Sequence, residues 1–128
     1  MNMAKHDTLQ VNEVSRISQA TQVRGSLLSQ TDIRIDGTFE GDLITAGKLV
    51  LGENASITGN VMCANADIWG KIEGDFTVGD TVKFKEGATF TGHLKTIRIC
   101  IEMGADFSGS CQIINEAEFK SLSAEFFH

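Results

Sequence analysis

The sequence has no proline at all. Proline lacks the amide hydrogen and fixes φ, so each one would delete a rung-to-rung hydrogen bond from a sheet. Its absence from 128 residues suits a chain in which almost every backbone N–H is in use. Cysteine is scarce: Cys63, Cys100 and Cys111, an odd number with gaps of 37 and 11. Without a CxxC pair or a Cys/His cluster, they argue against zinc and against a disulfide framework. They read as small buried hydrophobes or surface thiols in a reducing cytoplasm. No apolar run approaches the roughly 18 residues of a membrane span, and the first 20 residues hold no apolar signal-peptide core. A cytoplasmic protein is expected. Positive charge is in deficit too, with 11 Lys and Arg against 17 Asp and Glu and a net charge of -6. Nucleic acid, which needs a basic stripe to displace counterions, is an unsuitable partner. Residues 21–114 interleave 8 basic with 12 acidic side chains along their whole length, as a solvated outer face does.

What the chain does have is a repeat. Gly70, Ile72, Gly74 and Phe76 alternate with polar residues, a small residue at positions one and five and an apolar one at three and seven. The grammar recurs at Gly37–Leu43, Ala55–Val61, Ala88–Leu94 and Ala105–Cys111, and more weakly at Thr21–Leu27. The central glycines fall at 25, 41, 59, 74, 92 and 109, spaced 16, 18, 15, 18 and 17 apart. A recurring unit of that length signals a solenoid.

Inside the repeat, small or apolar residues hold nearly every odd position from 33 to 63. They hold the even positions from 68 to 94 and the odd ones again from Ile97 to Ile113. Period-two alternation is β-structure. Some 90 alternating residues exceed any one strand, so the chain must bend repeatedly while keeping one face inward. Asp36-Gly37, a possible hairpin turn, lies inside the alternation and does not interrupt it. A coil of parallel strands fits, with three strands of about five or six residues per turn and about 4.8 Å between turns. The expectation is an all-β chain: a parallel β-helix of about six three-stranded rungs over 21–114. The inward glycines relieve crowding at the corners or supply positive φ. Phase flips mark turns with one residue more or fewer.

The flanks differ. Residues 1–20 read as a flexible tail without a basic cluster or strong apolar face. In 115–128, Asn115 followed by Glu118 resembles a capping box, and Ile114, Phe119, Leu122 and Phe126 fall roughly on one face. A short amphipathic helix or a disordered tail is expected, packing on the rod, capping its end, or contacting a partner or membrane.

No catalytic site is legible. His93 lies on the outward phase. Hexapeptide-repeat acyltransferases coil at a similar period and can use a histidine base, but they have a stricter repeat and an extended loop. Glu40, Asp42, Glu73 and Asp75 are also outward, without a cleft to suit paired-carboxylate chemistry. Gly70 and Gly74 lie among alternating residues, not between a strand and a helix as a phosphate cradle requires. No metal, nucleotide or other cofactor is expected. Trp69 is outward as well, either anchoring an interface or covering its own strand.

A parallel coil leaves unpaired strand edges and apolar side chains at both ends, which must be capped or used. A proline-poor domain of repeated apolar-x-Gly-polar-apolar units between two non-repetitive tails resembles the bactofilins, bacterial polymer-forming cytoskeletal proteins. The resemblance covers about residues 21–114. It implies a right-handed β-helix that polymerises through its ends without nucleotide, and a non-enzymatic scaffold that positions cell-wall hydrolases or other envelope proteins and affects cell shape. It also implies peripheral membrane contact through the tails, at the inner face of the cytoplasmic membrane. In such proteins an apolar residue of a terminal rung, often Phe, is needed for assembly. Phe107 matches it, with Ile113 in phase; Val23 and Leu27 are their counterparts in the first rung. Trp69, Phe119, Leu122 and Phe126 make a candidate partner surface. The alternatives are an acyltransferase-like β-helix enzyme and a monomeric β-helix adaptor for an envelope partner.

Overall fold

The computed structural model of the chain describes residues 8–9 and 15–124. Eleven strands precede one helix: β1 (Thr8–Leu9), β2 (Ser15–Ile17), β3 (Gln22–Ser29), β4 (Ile33–Ile35), β5 (Thr38–Thr45), β6 (Lys48–Leu51), β7 (Ser56–Cys63), β8 (Asn65–Ile68), β9 (Lys71–Phe84), β10 (Thr89–Ile101), β11 (Asp106–Ile113) and α1 (Glu116–Ser123). Every pairing is parallel, and the strands form one sheet wound into a β-solenoid of about six turns. The ladder begins before residue 21. Ser15–Ile17 pairs with Ile33–Ile35, inside the stretch expected as a tail.

Each full rung joins an eight-residue stretch to a short strand of three or four residues. The eight-residue stretch supplies two of the three walls because it bends at its central glycine. These glycines stack in register from Gly25 to Gly109, with φ between 126 and 135°. A Cβ on Gly59 would collide with the Gly41 carbonyl oxygen of the rung below, and its φ is one that L side chains rarely adopt. The bend and the close stacking of rungs are therefore why glycine is needed here, not extra room in the core.

The uneven period comes from the corners, apart from one residue lost in the three-residue β4. After the eight-residue stretches the corners are 30–32, 46–47, 64, 79–80 and 97; after the short walls they are 36–37, 52–55, 69–70, 85–88 and 102–105. The single-residue corners, Ala64 and Ile97, are where the inward phase flips. Ile97, expected to point inward, is thus a half-buried corner residue.

The core is a stack of like on like. Phe39, Ile57, Ile72 and Phe90 are aligned from rung to rung, as are Leu43, Val61, Phe76 and Leu94, all buried. On the short wall Ile35, Leu51, Ile68 and Phe84 do the same. Burying each such side chain contributes about 1.5–3 kcal/mol. Buried hydroxyls serve corner backbone: Thr45 donates to Thr31 O and accepts from Gly47 N–H, and Thr96 donates to Arg98 O.

At the last rung the Ile114 N–H donates to Thr96 O, and Asn115 caps α1 by accepting from the Glu118 N–H at 2.8 Å. The helix then lies on the flank. The Phe119 ring covers Gly79, where an added Cβ would collide with it.

Candidate functional site

With α1 on the flank, the C-terminal end of the coil is uncovered among the described residues. β11 pairs only with β10, so its inward side chains have no rung above them. Ile113 is 59% exposed and Ile101 47%. Met103, at the tip of the last corner, is 91% exposed. Phe107 is half-buried, stacked on Phe90 with centroids 5.0 Å apart and edge-on to Phe84 at 5.9 Å. Cys111 stands in the same rung, its thiol pKa raised by desolvation. Ile101 and Met103 were not singled out from sequence, although both are on the inward phase beside the rung that was.

The N-terminal end is arranged differently. Val23 is half-buried against the core, but Leu27 is only 4% exposed. Leu27 has Leu9 of β1 as its register neighbour, so an extra strand follows where an open edge was expected. β2 likewise continues the short wall beyond β4. Of the four candidate end residues, then, Phe107 and Ile113 share one open surface, Val23 is partly open at the other end, and Leu27 is in the core.

The candidate partner residues do not form one surface. Phe119 packs on Gly79, while Leu122 on the same helix is partly exposed. Trp69 sits at another corner with the Lys85 ammonium 5.7 Å from its ring centroid. Phe126 lies outside the described residues. His93 is exposed and shares a 2.7 Å hydrogen bond with Ser110. Among the described residues no group of three or more His, Cys, Asp or Glu is placed to hold a metal ion, and no helix is long and apolar enough to cross a membrane.

Residues 15–112 match the family model for bactofilins, described as polymer-forming cytoskeletal. The chain belongs to the bactofilin family. It is similar to Bactofilin BacO of Myxococcus xanthus (strain DK1622), at 26% identity over 106 residues, covering 83% of this chain and 82% of the relative. No solved structure gives a significant match. Bactofilins are a structural family, and membership supports a cytoskeletal scaffold role with self-association. The matched segment starts at the first residue of β2 and stops within β11. The coil is therefore what the family model matches, and α1 lies beyond it.

Proposed function

We propose that the protein is a non-enzymatic scaffold whose coils join end to end into filaments without nucleotide. The observation that carries this is the C-terminal end. Ile101, Met103, Phe107 and Ile113 present an apolar surface bordered by the unpaired edge of β11, and α1 does not cover it. Joining this edge to the end of another coil would continue both the backbone ladder and the core across the contact. As a filament at the cytoplasmic face of the envelope, the protein would position wall hydrolases or other envelope proteins and so affect cell shape.

Electron microscopy of the purified, nucleotide-free protein tests the reading. Filaments are the expected result. Discrete monomers would overturn it in favour of an adaptor, and discrete trimers with affinity for coenzyme A would favour an acyltransferase-like enzyme.

A further inference from the structure

The corner lengths that make the period uneven also shape one edge of the coil. After the short wall the corner holds four residues at 18–21, 52–55, 85–88 and 102–105, but two at 36–37 and 69–70. The longer corners close with turn bonds, as from Thr21 N–H to Ser18 O at 3.1 Å and from Ala55 N–H to Gly52 O at 3.0 Å, and so project from the wall. Up the first five corners, projection and recess alternate. Asp36 marks the first recess and Trp69 the second, with Glu53 and Asn54 on the ridge between them. One depression of about 610 Å³ runs along this edge and is lined in part by Arg16, Arg34, Asp36, Glu53, Asn54 and Trp69. That size is within the range of ligand sites.

The two recesses differ in chemistry. In the first, Arg34 forks Asp36 through Nε and Nη2 at 3.0 and 3.1 Å. Arg16 reaches the same carboxylate through Nε at 3.3 Å. Two guanidiniums share one carboxylate, which leaves an excess of positive charge and spare donors suited to a second carboxylate. In the second recess Trp69 is partly exposed, with the Lys85 ammonium 5.7 Å from its ring centroid. The recesses are two rungs apart, or about 9.6 Å at about 4.8 Å per rung. A polyproline-II chain rises about 3.1 Å per residue and repeats its face every three, about 9.3 Å. Residues i and i+3 of such a chain therefore meet both recesses at once. Glu53 on the ridge disfavours a further acid between them.

We propose that this edge binds a polyproline-II segment of a partner protein. A carboxylate of that segment pairs with Arg16 and Arg34, and a proline three residues later packs on Trp69. The inference rests on the scaffold reading, since it names the chemistry by which a filament would hold its client. Aromatic surfaces that receive prolines are an established recognition mode, and the arginine pair adds charge and direction to it.

Trp69 is the single tryptophan, and the chain has no tyrosine. Intrinsic fluorescence of the intact protein therefore reports on this edge alone. The probe is a capped peptide containing Glu-Pro-Pro-Pro between glycines. A saturable change in Trp69 emission is expected. Replacing Glu by Gln in the peptide, or Arg16→Glu in the protein, weakens binding about tenfold or more, the loss expected for a charge-assisted hydrogen bond. Moving Glu one position nearer the last proline has a similar effect. Equal responses to the Glu and Gln peptides, or no saturable change up to millimolar peptide, would overturn the proposal. So would an acetate titration that reproduces the peptide's response at the same affinity, since the edge would then be a simple anion site. Microscopy of Arg16→Glu separates this from the scaffold reading. Intact filaments with lost peptide binding support both, whereas peptide binding by a wild-type protein that never forms filaments removes only the filament.

Discussion

The two ends of the coil are built from different side chains. At the N-terminal end the outermost side chains are aliphatic, with Ile17 half-buried over Ile35 and Val23 half-buried over Phe39. The C-terminal end adds an aromatic column to its exposed Ile101, Met103 and Ile113. Phe76 and Phe84 lie 6.2 and 5.6 Å from Phe90, and the column runs out through Phe107 toward the open face. At the first end, strands β1 and β2 extend the ladder; at the second, the chain leaves through α1 along the flank and the last rung stays bare. Stacking rungs builds a core but does not decide how it ends. That depends on the segments just outside the repeat, and here only one of them continues the ladder over its end.

The largest effects are expected from charges placed at the bare end. Phe107→Arg should abolish sedimentable polymer, because an unpaired charge in an apolar contact costs several kcal/mol. Unchanged pelleting would show that this end makes no contact. Since Phe107 also packs on Phe90, Met103→Asp and Ile113→Asp are needed beside it. Both side chains are mostly exposed, so their unfolding free energies from urea melts should stay within about 0.5 kcal/mol of wild type while pelleting falls. Val23→Asp tests the opposite end. A smaller loss of polymer there than for Ile113→Asp is expected; a larger one would reverse the assignment of the open face.

A second contrast is between a terminal glycine and an interior one. Gly25 and Gly59 share the same corner conformation, with φ of 127 and 135°. Among the described residues a Cβ on Gly25 meets nothing within 4 Å, whereas one on Gly59 strikes the Gly41 carbonyl. Gly25→Ala should therefore show backbone strain alone, about 1–3 kcal/mol. Gly59→Ala adds a collision with the rung below and should cost more. Equal losses in urea melts would mean that strain, rather than rung stacking, governs both sites.

Much of this was legible in the alternation, for a physical reason. A coil repeats one environment about six times, so a weak pattern is reinforced at each pass. The walls, the glycine column and the existence of two phase flips follow from it, whereas the corner residues themselves, Ala64 and Ile97, do not. The capping role of Asn115 was legible from its spacing to Glu118 alone. What stayed hidden depends on contacts that do not repeat. The Ser15–Ile17 strand is too short to show a period, and only its pairing with Ile33–Ile35 makes it part of the wall. The placement of Phe119 on Gly79 pairs two residues 40 positions apart, with no local signal. Trp69 was readable as outward, but the recess around it arises from the lengths of neighbouring corners.

The smallest expected effect concerns the N-terminal end alone. The hydrogen bonds of Arg34 to Asp36 hold its carboxyl below the usual carboxylate range, partly opposed by desolvation, with Arg16 adding to the effect from β2. A depressed carboxylate pKa stabilises the fold above the unfolded value, near 3.9, and that contribution is lost as pH falls through the lower folded value. These side chains are partly solvated, so the contribution is modest. Urea melts of wild type and Asp36→Asn should thus differ at pH 7, with wild type more stable, and converge as pH falls below about 4. Hydrogen exchange locates the effect. Acidification should lower protection factors in the first rungs near Arg16 and Arg34 more in wild type than in Asp36→Asn, while amides of β11 respond alike in both. If β11 lost protection to the same degree and with the same dependence on Asp36, the ends would be energetically coupled, and treating them as separate surfaces would fail.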